Sequence, residues 1–446
     1  MYMSKFNEWL RLGIIYPLAE KIKGTNSMEW YHRIQTMNTW SRNQIQTWQE
    51  EQLHKIIHQA YYHTIYWKKV FDERGLKPED IHTMEDLKKL PVLTKADIRA
   101  HYEEMVPDNV KLFPHRSERT GGTTGEPMQY LVDENIWGYV SADKIVAWQS
   151  TGYRFGDKFM ALGSASLFKK NAPLARRILD WIRNEHAYNS MNMDGELCRQ
   201  YIDILEKQKI HYIYGYASSI YLLAKYALDN KINMSHMRGA FTTSENLTNV
   251  YRETIEKAFG CRVMDCYGAR DAAITAYEVT PGNYYLGYSA YVELVDEIEP
   301  NVGTLVSTNL LSMAFPLLRY DYGDVAELDN NSAVYNGQVL HKIYGRASDV
   351  LRLDNGHVLT SPGFTILMRN FDVKAYDIQK ISGKEVKMQL QVADGWDKNQ
   401  ENLLNEEMKR FVGDGCDFSI DYVDHFDILK NGKRRYFMND LSQSGN

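Results

Sequence analysis

This sequence is short of cysteine, of basic charge in excess and of unbroken apolar runs, and each shortage removes a class of protein. Four cysteines in 446 residues (Cys198, Cys261, Cys266 and Cys416) are too few and too scattered for a disulfide framework. Cys261 and Cys266 are too widely spaced for a CxxC pair, and no His-x-x-x-His stands near them, so reduced thiols of a cytoplasmic protein are expected rather than a metal site. A net charge of −6 leaves no dominant basic face, which argues against broad nucleic-acid binding. Repeats and low-complexity tracts are missing too. The opening stretch MYMSKFNEWLRLGIIYPLAEKIKG has an apolar patch, but charges interrupt it and no small-residue cleavage site follows. It reads as neither a signal peptide nor a transmembrane segment. A helix packed on the protein's own body is the expectation, with an amphipathic helix lying on a membrane as the alternative.

What is present is the composition of a globular chain, 44% hydrophobic and 25% charged, long enough for two or three domains. Residues 1 to about 105 read as helical, and Thr83 and Thr94 each cap a short helix with acidic residues in the turn that follows. Beyond RTGGTTGEP, strand and helix signals alternate. DKFMALG, HYIYGY, MRGAFTTS and RVMDCYG read as strands. DGELCRQYIDILEKQKI, ASSIYLLAKYALDN and LTNVYRETIEKAFG read as helices, the first opened by Asp194 and the last closed by Gly260. This alternation predicts an α/β fold with parallel strand pairs and helices on the sheet faces. Ligands of such sheets sit beyond the carboxyl ends of the strands, so YGYASS, TTSENL and YGARDA are the candidate site loops. From about 284 to 343 the sequence turns strand-rich, and the last hundred residues have an α+β pattern. A boundary near Tyr344–Asp349 divides a large domain, 1–345, from a small one, 346–446.

RTGGTTGEP packs three glycines, three threonines and a proline between two ordered segments. Glycine permits positive φ and close approach, and threonine adds hydroxyl donors, so the stretch reads either as a surface turn or as a phosphate cradle. It is not a Walker loop, because Glu126 stands where Lys is required. A cradle of this kind needs its positive charge from elsewhere, and Lys433 in LKNGKRRYF, just after the Asn431–Gly432 hairpin signal, is the candidate. Glu245, Asp271 and Asp324 stand at or just beyond predicted strand ends. Such residues are ordinarily solvated or cap helices. Here Asp271 could hold Mg²⁺ against phosphate oxygens, and Asp324 in RYDYGD could accept from both ribose hydroxyls. Arg346 in YGRASD offers a fixed fork of donors at the domain junction. No convincing Ser/His/Asp or Cys/His set is present.

Taken in order, these segments resemble the adenylate-forming superfamily of acyl-CoA synthetases. The likeness is greatest to its phenylacetate–CoA ligase branch, which includes CapK-like proteins of capsular polysaccharide gene clusters. RTGGTTGEP resembles the family's TSGTTGKP phosphate loop, TTSENL its GAEP segment and CYGARDA its YGxTE segment. GTLVSTNLLSMAFPLLRYDYGD resembles the stretch ending in the ribose-binding Asp, YGRASDVLRL the GRxDD hinge, and NGKRRY the C-terminal lysine loop. LPVLTKADIRAHY also matches that branch, and the likeness runs from about residue 50 to the C-terminus.

The resemblance implies an α/β protein with a large adenylate-forming N-terminal domain, of mixed sheets plus a β-rich subdomain, and a small mobile C-terminal domain. It implies an ATP-dependent, AMP-forming ligase that activates a carboxylic acid and passes it to a thiol, by default coenzyme A, with Mg²⁺ as cofactor. An amine or hydroxyl acceptor on a sugar, or a non-catalytic nucleotide-binding role, are the alternatives. Thr120, Gly121, Gly122, Thr123, Thr124 and Gly125 would surround the pyrophosphate end of ATP. Ser244 and Glu245 would lie against adenine and ribose, Tyr267 and Gly268 at adenine, Asp324 at the ribose hydroxyls, and Asp271 at the metal. Arg346 and Lys433 would act in catalysis. Tyr216, Ser218, Ser244 and Ala269 would line the acid pocket, and a homodimer is implied as well. The sequence departs from the family pattern at Glu126, which replaces a Lys, at Asp271, which replaces a longer Glu, and at Ser348, which replaces the hinge acid.

Overall fold

The structure is a computed structural model of the whole chain, and it describes residues 10–23, 25–119, 128–163, 180–190, 193–245, 247, 249–346, 350–356, 358–360, 368, 371–393, 395–424 and 439–440. Contacts divide the chain into two units: Met1–Tyr322 with Glu327–Lys342, and Gly323–Ala326 with Ile343–Asn446.

The large unit begins with helices α1 (Tyr16–Lys23), α2 (Ser27–Met37), α3 (Arg42–His63), α4 (Ile65–Glu73) and α5 (Lys95–Met105). Their starts are written locally. Ser41 opens α3 and Thr94 opens α5 through reciprocal capping boxes with Gln44 and Asp97, each satisfying amides that helix geometry leaves unpaired. Thr83 does the same for the 3₁₀ turn Met84–Lys89.

A hairpin follows, β1 (His115–Arg119) against β2 (Gln129–Asp133), closed by the pair Arg119–Gln129. Helix α6 (Glu134–Trp148) then leads to β3 (Phe159–Gly163) and β4 (Glu185–Asn189). Next come α7 (Gly195–Lys207), β5 (Tyr212–Tyr216), α8 (Ala217–Asp229), β6 (Gly239–Thr243), α9 (Asn249–Phe259) and β7 (Val263–Ala269). The antiparallel strands β8 (Ile274–Thr280), β9 (Asn283–Leu286), β10 (Ala290–Glu299), β11 (Val302–Asn309), β12 (Tyr320–Asp329) and β13 (Val339–Arg346) complete one eleven-stranded sheet. Its order is β10-β11-β12-β13-β9-β8-β7-β6-β5-β3-β4, with β3 to β7 parallel. The strand-rich stretch after residue 284 thus extends the parallel half rather than standing apart from it.

Alternate residues of each parallel strand face opposite layers. Met160, Leu162, Ile213, Ala240 and Val263 pack under α7, α8 and α9. Phe159, Ala161, Tyr212, Phe241, Met264 and Cys266 pack with Ala147 and Trp148 of α6. Trp148 stacks on Phe241 at 4.0 Å between ring centroids, inclined by only 5°. Each such buried side chain contributes about 1.5–3 kcal/mol, which locks α6 to the sheet. The same helix buries Asp143, whose Oδ2 accepts from Thr275 Oγ1 at 2.6 Å. Burial pushes that carboxyl up to about 6. Gly287 is required beside it, since a Cβ there would collide with Thr275, Asp143 and Tyr139.

The small unit holds the pair β14 (Val350–Arg352) and β15 (Val358–Thr360). It also holds a four-stranded sheet of β16 (Val373–Ser382), β17 (Glu385–Val392), β18 (Asp417–Tyr422) and β19 (Asn439–Asp440). Helix α10 (Lys398–Val412) buries Leu404, Met408 and Val412 against Ile378, Val386, Met388 and Leu390.

Candidate active site

Strand register brings the candidate loops of the large unit side by side. Tyr216 and Thr243 pair with each other at the carboxyl ends of β5 and β6, and Thr243 pairs with Cys266 midway along β7, so the residues that follow them share one edge. Tyr216 occupies the N-cap of α8 and its side chain caps nothing. The helix instead uses Glu245 of the next loop, whose Oε2 accepts the Ser218 amide at 2.9 Å. A carboxylate at the positive end of a helix is well placed electrostatically. Ser244 makes this reach with φ of 65°, a left-handed conformation that is uncommon without glycine. Ser218, Ser244, Glu245 and Tyr216 are thereby gathered at one point.

The second gathering lies around the turn after β7. Tyr267, Gly268 and Ala269 finish the strand, and Arg270 and Asp271 follow. Asp271 Oδ2 accepts from the Tyr320 hydroxyl at 2.7 Å. That hydroxyl lies 3.8 Å from Met128 Sδ, at the start of the strand that leads out of the glycine-threonine segment. Arg270 reaches the other leg of the hairpin, 3.5 Å from Glu118. Its guanidinium also lies 4.4 Å from the centre of the Trp137 ring, while Arg116 lies 4.3 Å from that ring. Tyr130, Ile136, Phe315, Arg270 and Asp271 border a small hollow here. Burial and then the Asp271 charge push the Tyr130 phenol up. Arg270 thus contacts one leg of the hairpin directly, and Asp271 is linked to the other through Tyr320.

Thr120, Gly121, Gly122, Thr123, Thr124, Gly125 and Glu126 lie outside the described residues, as do Ser348 and Lys433. Arg346 is the last residue of β13, and its side chain is outside them as well. Asp324 corrects one expectation: it lies inside β12, not at a strand end, and is buried. The strand continues past the aspartate to Asp329, with Asp324, Val325 and Ala326 all buried in succession. Sequence reasoning missed Tyr320, Arg270, Trp137 and Glu118. Tyr320 stands in the same RYDYGD segment, but nothing local marks it as the partner of a carboxylate 49 residues away. Among the described residues, no group of three or more His, Cys, Asp or Glu is gathered.

No known protein-family profile matches the chain. Among characterised proteins, Protein CapK of Staphylococcus aureus is 25% identical over 390 residues, covering 84% of this chain and 85% of its own length. Phenylacetate-coenzyme A ligase of Pseudomonas putida is also 25% identical, over 407 residues, covering 84% and 90%. Among solved structures, 2-hydroxyisobutyryl-CoA ligase in the postadenylation state, in complex with an acyl-AMP, superposes with a TM-score of 0.70. That match covers 91% of both chains at 17% identity and carries the fold. Sequence relatives and fold together point to one class, the AMP-forming, adenylate-forming ligases. Within that superfamily, the chain is similar to the phenylacetate–CoA ligase and CapK branch.

Proposed function

We propose that this chain is an ATP-dependent, AMP-forming carboxylate ligase whose acyl acceptor is by default coenzyme A. The observation that carries the reading is Asp271, held by Tyr320 beside the residues that flank the glycine-threonine segment, just after the last of the parallel strands. The names of the phenylacetate-coenzyme A ligase relatives support the acceptor. A carboxylate is a poor acyl donor because oxide is a poor leaving group. In the proposed first step, a carboxylate oxygen attacks the α-phosphorus of ATP. The bond from that phosphorus to the bridging oxygen of the β-phosphate breaks, and pyrophosphate leaves. In the second step the acceptor thiolate attacks the acyl carbon and AMP departs. No protein nucleophile is needed, so catalysis consists of positioning and of stabilising charge on the α-phosphate.

In this reading Thr120–Gly125 hold the triphosphate, and Lys433 and Arg346 meet the negative charge as it develops. Glu245, Ser244, Tyr267 and Gly268 border the adenosine, Asp324 binds the ribose, and Tyr216, Ser218, Ser244 and Ala269 border the acid. Asp271 fits Mg²⁺: its Oδ2 is held by Tyr320, while its Oδ1 has no partner among the described residues. One carboxylate completed by phosphates and water suits this hard cation, which would neutralise phosphate charge. A cytoplasmic homodimer acting in capsular polysaccharide biosynthesis is the cellular setting we propose, on the sequence resemblance and on four free cysteines.

The test is a pyrophosphate-release screen over aryl acids, amino acids and uronic acids, with and without coenzyme A. Acid-dependent release with loss of free thiol is expected. Release without thiol loss would move the acceptor to an amine or hydroxyl. ATP binding with no release from any acid would overturn the enzymatic reading.

A further inference from the structure

Helix α1 is turned the wrong way for a helix on a soluble body. Its inward face carries Tyr16, which is edge-on to Phe155, and the buried side chain of Glu20. Glu20 accepts from the Ser27 and Met28 amides and so caps the next helix. Its outward face carries Ile14, Leu18 and Ile22, exposed by 43%, 57% and 79%, at four-residue spacing along the helical segment Arg11–Lys23. An amphipathic helix ordinarily buries such a stripe. On the inward face, Arg183 hydrogen-bonds the Tyr16 hydroxyl.

Charge separates the candidate occupants. Residues 10–23 carry three cations, Arg11, Lys21 and Lys23, against Glu20 alone, in a chain whose net charge is −6. Lys21 lies exposed between Leu18 and Ile22. A second copy of the chain is a poor occupant, because a stable protein interface takes about 800 Å² from each partner and a ridge of three side chains is narrow and convex. An interfacial helix needs only to sink about 5–10 Å into the headgroup boundary, with lysines meeting phosphates.

We propose that this ridge docks on an anionic lipid bilayer, with Ile14, Leu18 and Ile22 entering the acyl boundary and Lys21 meeting headgroup phosphates. The protein then lies on the membrane without crossing it, and among the described residues no helix is long and apolar enough to span one. The inference is independent of the ligase reading, and its test reads binding rather than turnover.

The full chain is mixed with sedimentable vesicles of phosphatidylcholine alone, or with about a third phosphatidylglycerol. Binding to the anionic vesicles is expected, weakened by salt and by removal of phosphatidylglycerol. The double variant Leu18→Ser, Ile22→Ser is expected to partition about a hundredfold more weakly. Lys21→Glu is expected to lose about tenfold, on anionic vesicles only. All three positions are exposed, and circular dichroism verifies that the variants fold. Failure of the unaltered chain to bind anionic vesicles, or binding of the double variant at full strength, overturns the proposal. A dimer of the unaltered chain that the double variant dissolves would assign the ridge to a second copy and overturn it equally.

Discussion

Replacing Tyr320 by Phe removes one oxygen atom from a fully buried ring and tests the central geometry of the site. The ring stays in its packing, but Asp271 Oδ2 loses the donor that holds it at 2.7 Å. A hydrogen bond to a charged group is worth about 1.5–3 kcal/mol. Asp271 is only partly buried, so water can take the donor's place and the lower figure applies. A loss of about 1.4 kcal/mol is a factor of about ten. Tyr320→Phe is therefore expected to lower kcat/KM for adenylation about tenfold and to raise the Mg²⁺ concentration needed for half-maximal rate. The thermal midpoint should move little, because no packing volume is lost. Pyrophosphate release titrated with Mg²⁺ measures both quantities, with Asp271→Asn as the reference variant. An unchanged Mg²⁺ dependence in Tyr320→Phe, alongside a crippled Asp271→Asn, would show that the tyrosine does not position the carboxylate. Full activity of Asp271→Asn would refute the assignment of the site itself.

Lys433→Ala is expected to slow adenylation by about a hundred- to a thousandfold, the effect of losing one aimed donor, and unaltered pyrophosphate release would remove it from the mechanism. Glu245→Ala leaves the Ser218 amide uncapped and should destabilise the protein by about 1 kcal/mol, read by urea unfolding, while raising KM for the acid or for ATP. Asp143 supplies a pH test. Its carboxyl is pushed up to about 6 in the fold, above the ordinary 3.8, so the folded state holds the proton more tightly than the unfolded chain. Its contribution favours folding below about pH 4, declines as pH rises through 6 and is flat above. Asp143→Asn should flatten that decline by about 3 kcal/mol between pH 4 and 7, as followed by urea unfolding, and an unaltered slope would contradict the burial argument.

The fold was legible where local rules decide it. The alternation in DKFMALG, HYIYGY, MRGAFTTS and RVMDCYG marks β3, β5, β6 and β7, and Thr94 with Asp97 announces α5. Gly260, at φ of 63°, closes α9 where the sequence placed its stop. That the candidate loops share one edge was legible for the same reason, since loops after parallel strands lead to one side of the sheet. What the sequence concealed were pairings made by the three-dimensional fold. Glu245 could be named as a site residue, but its bond to the Ser218 amide depends on the left-handed turn at Ser244. Tyr320 and Arg270 acquire their roles from partners far along the chain, and no periodicity records that. Asp324 was placed at a strand's end because RYDYGD reads as a terminus, whereas the strand runs on through it.

Trp137, set between the guanidiniums of Arg116 and Arg270, has an optical consequence. Indole emission responds to the field of nearby charges, and both of these cations flank the candidate nucleotide hairpin. An incoming polyphosphate that draws Arg270 toward itself changes the light from that single ring. The chain therefore carries a native fluorophore at its own threshold, readable without any label once the other tryptophans are silenced.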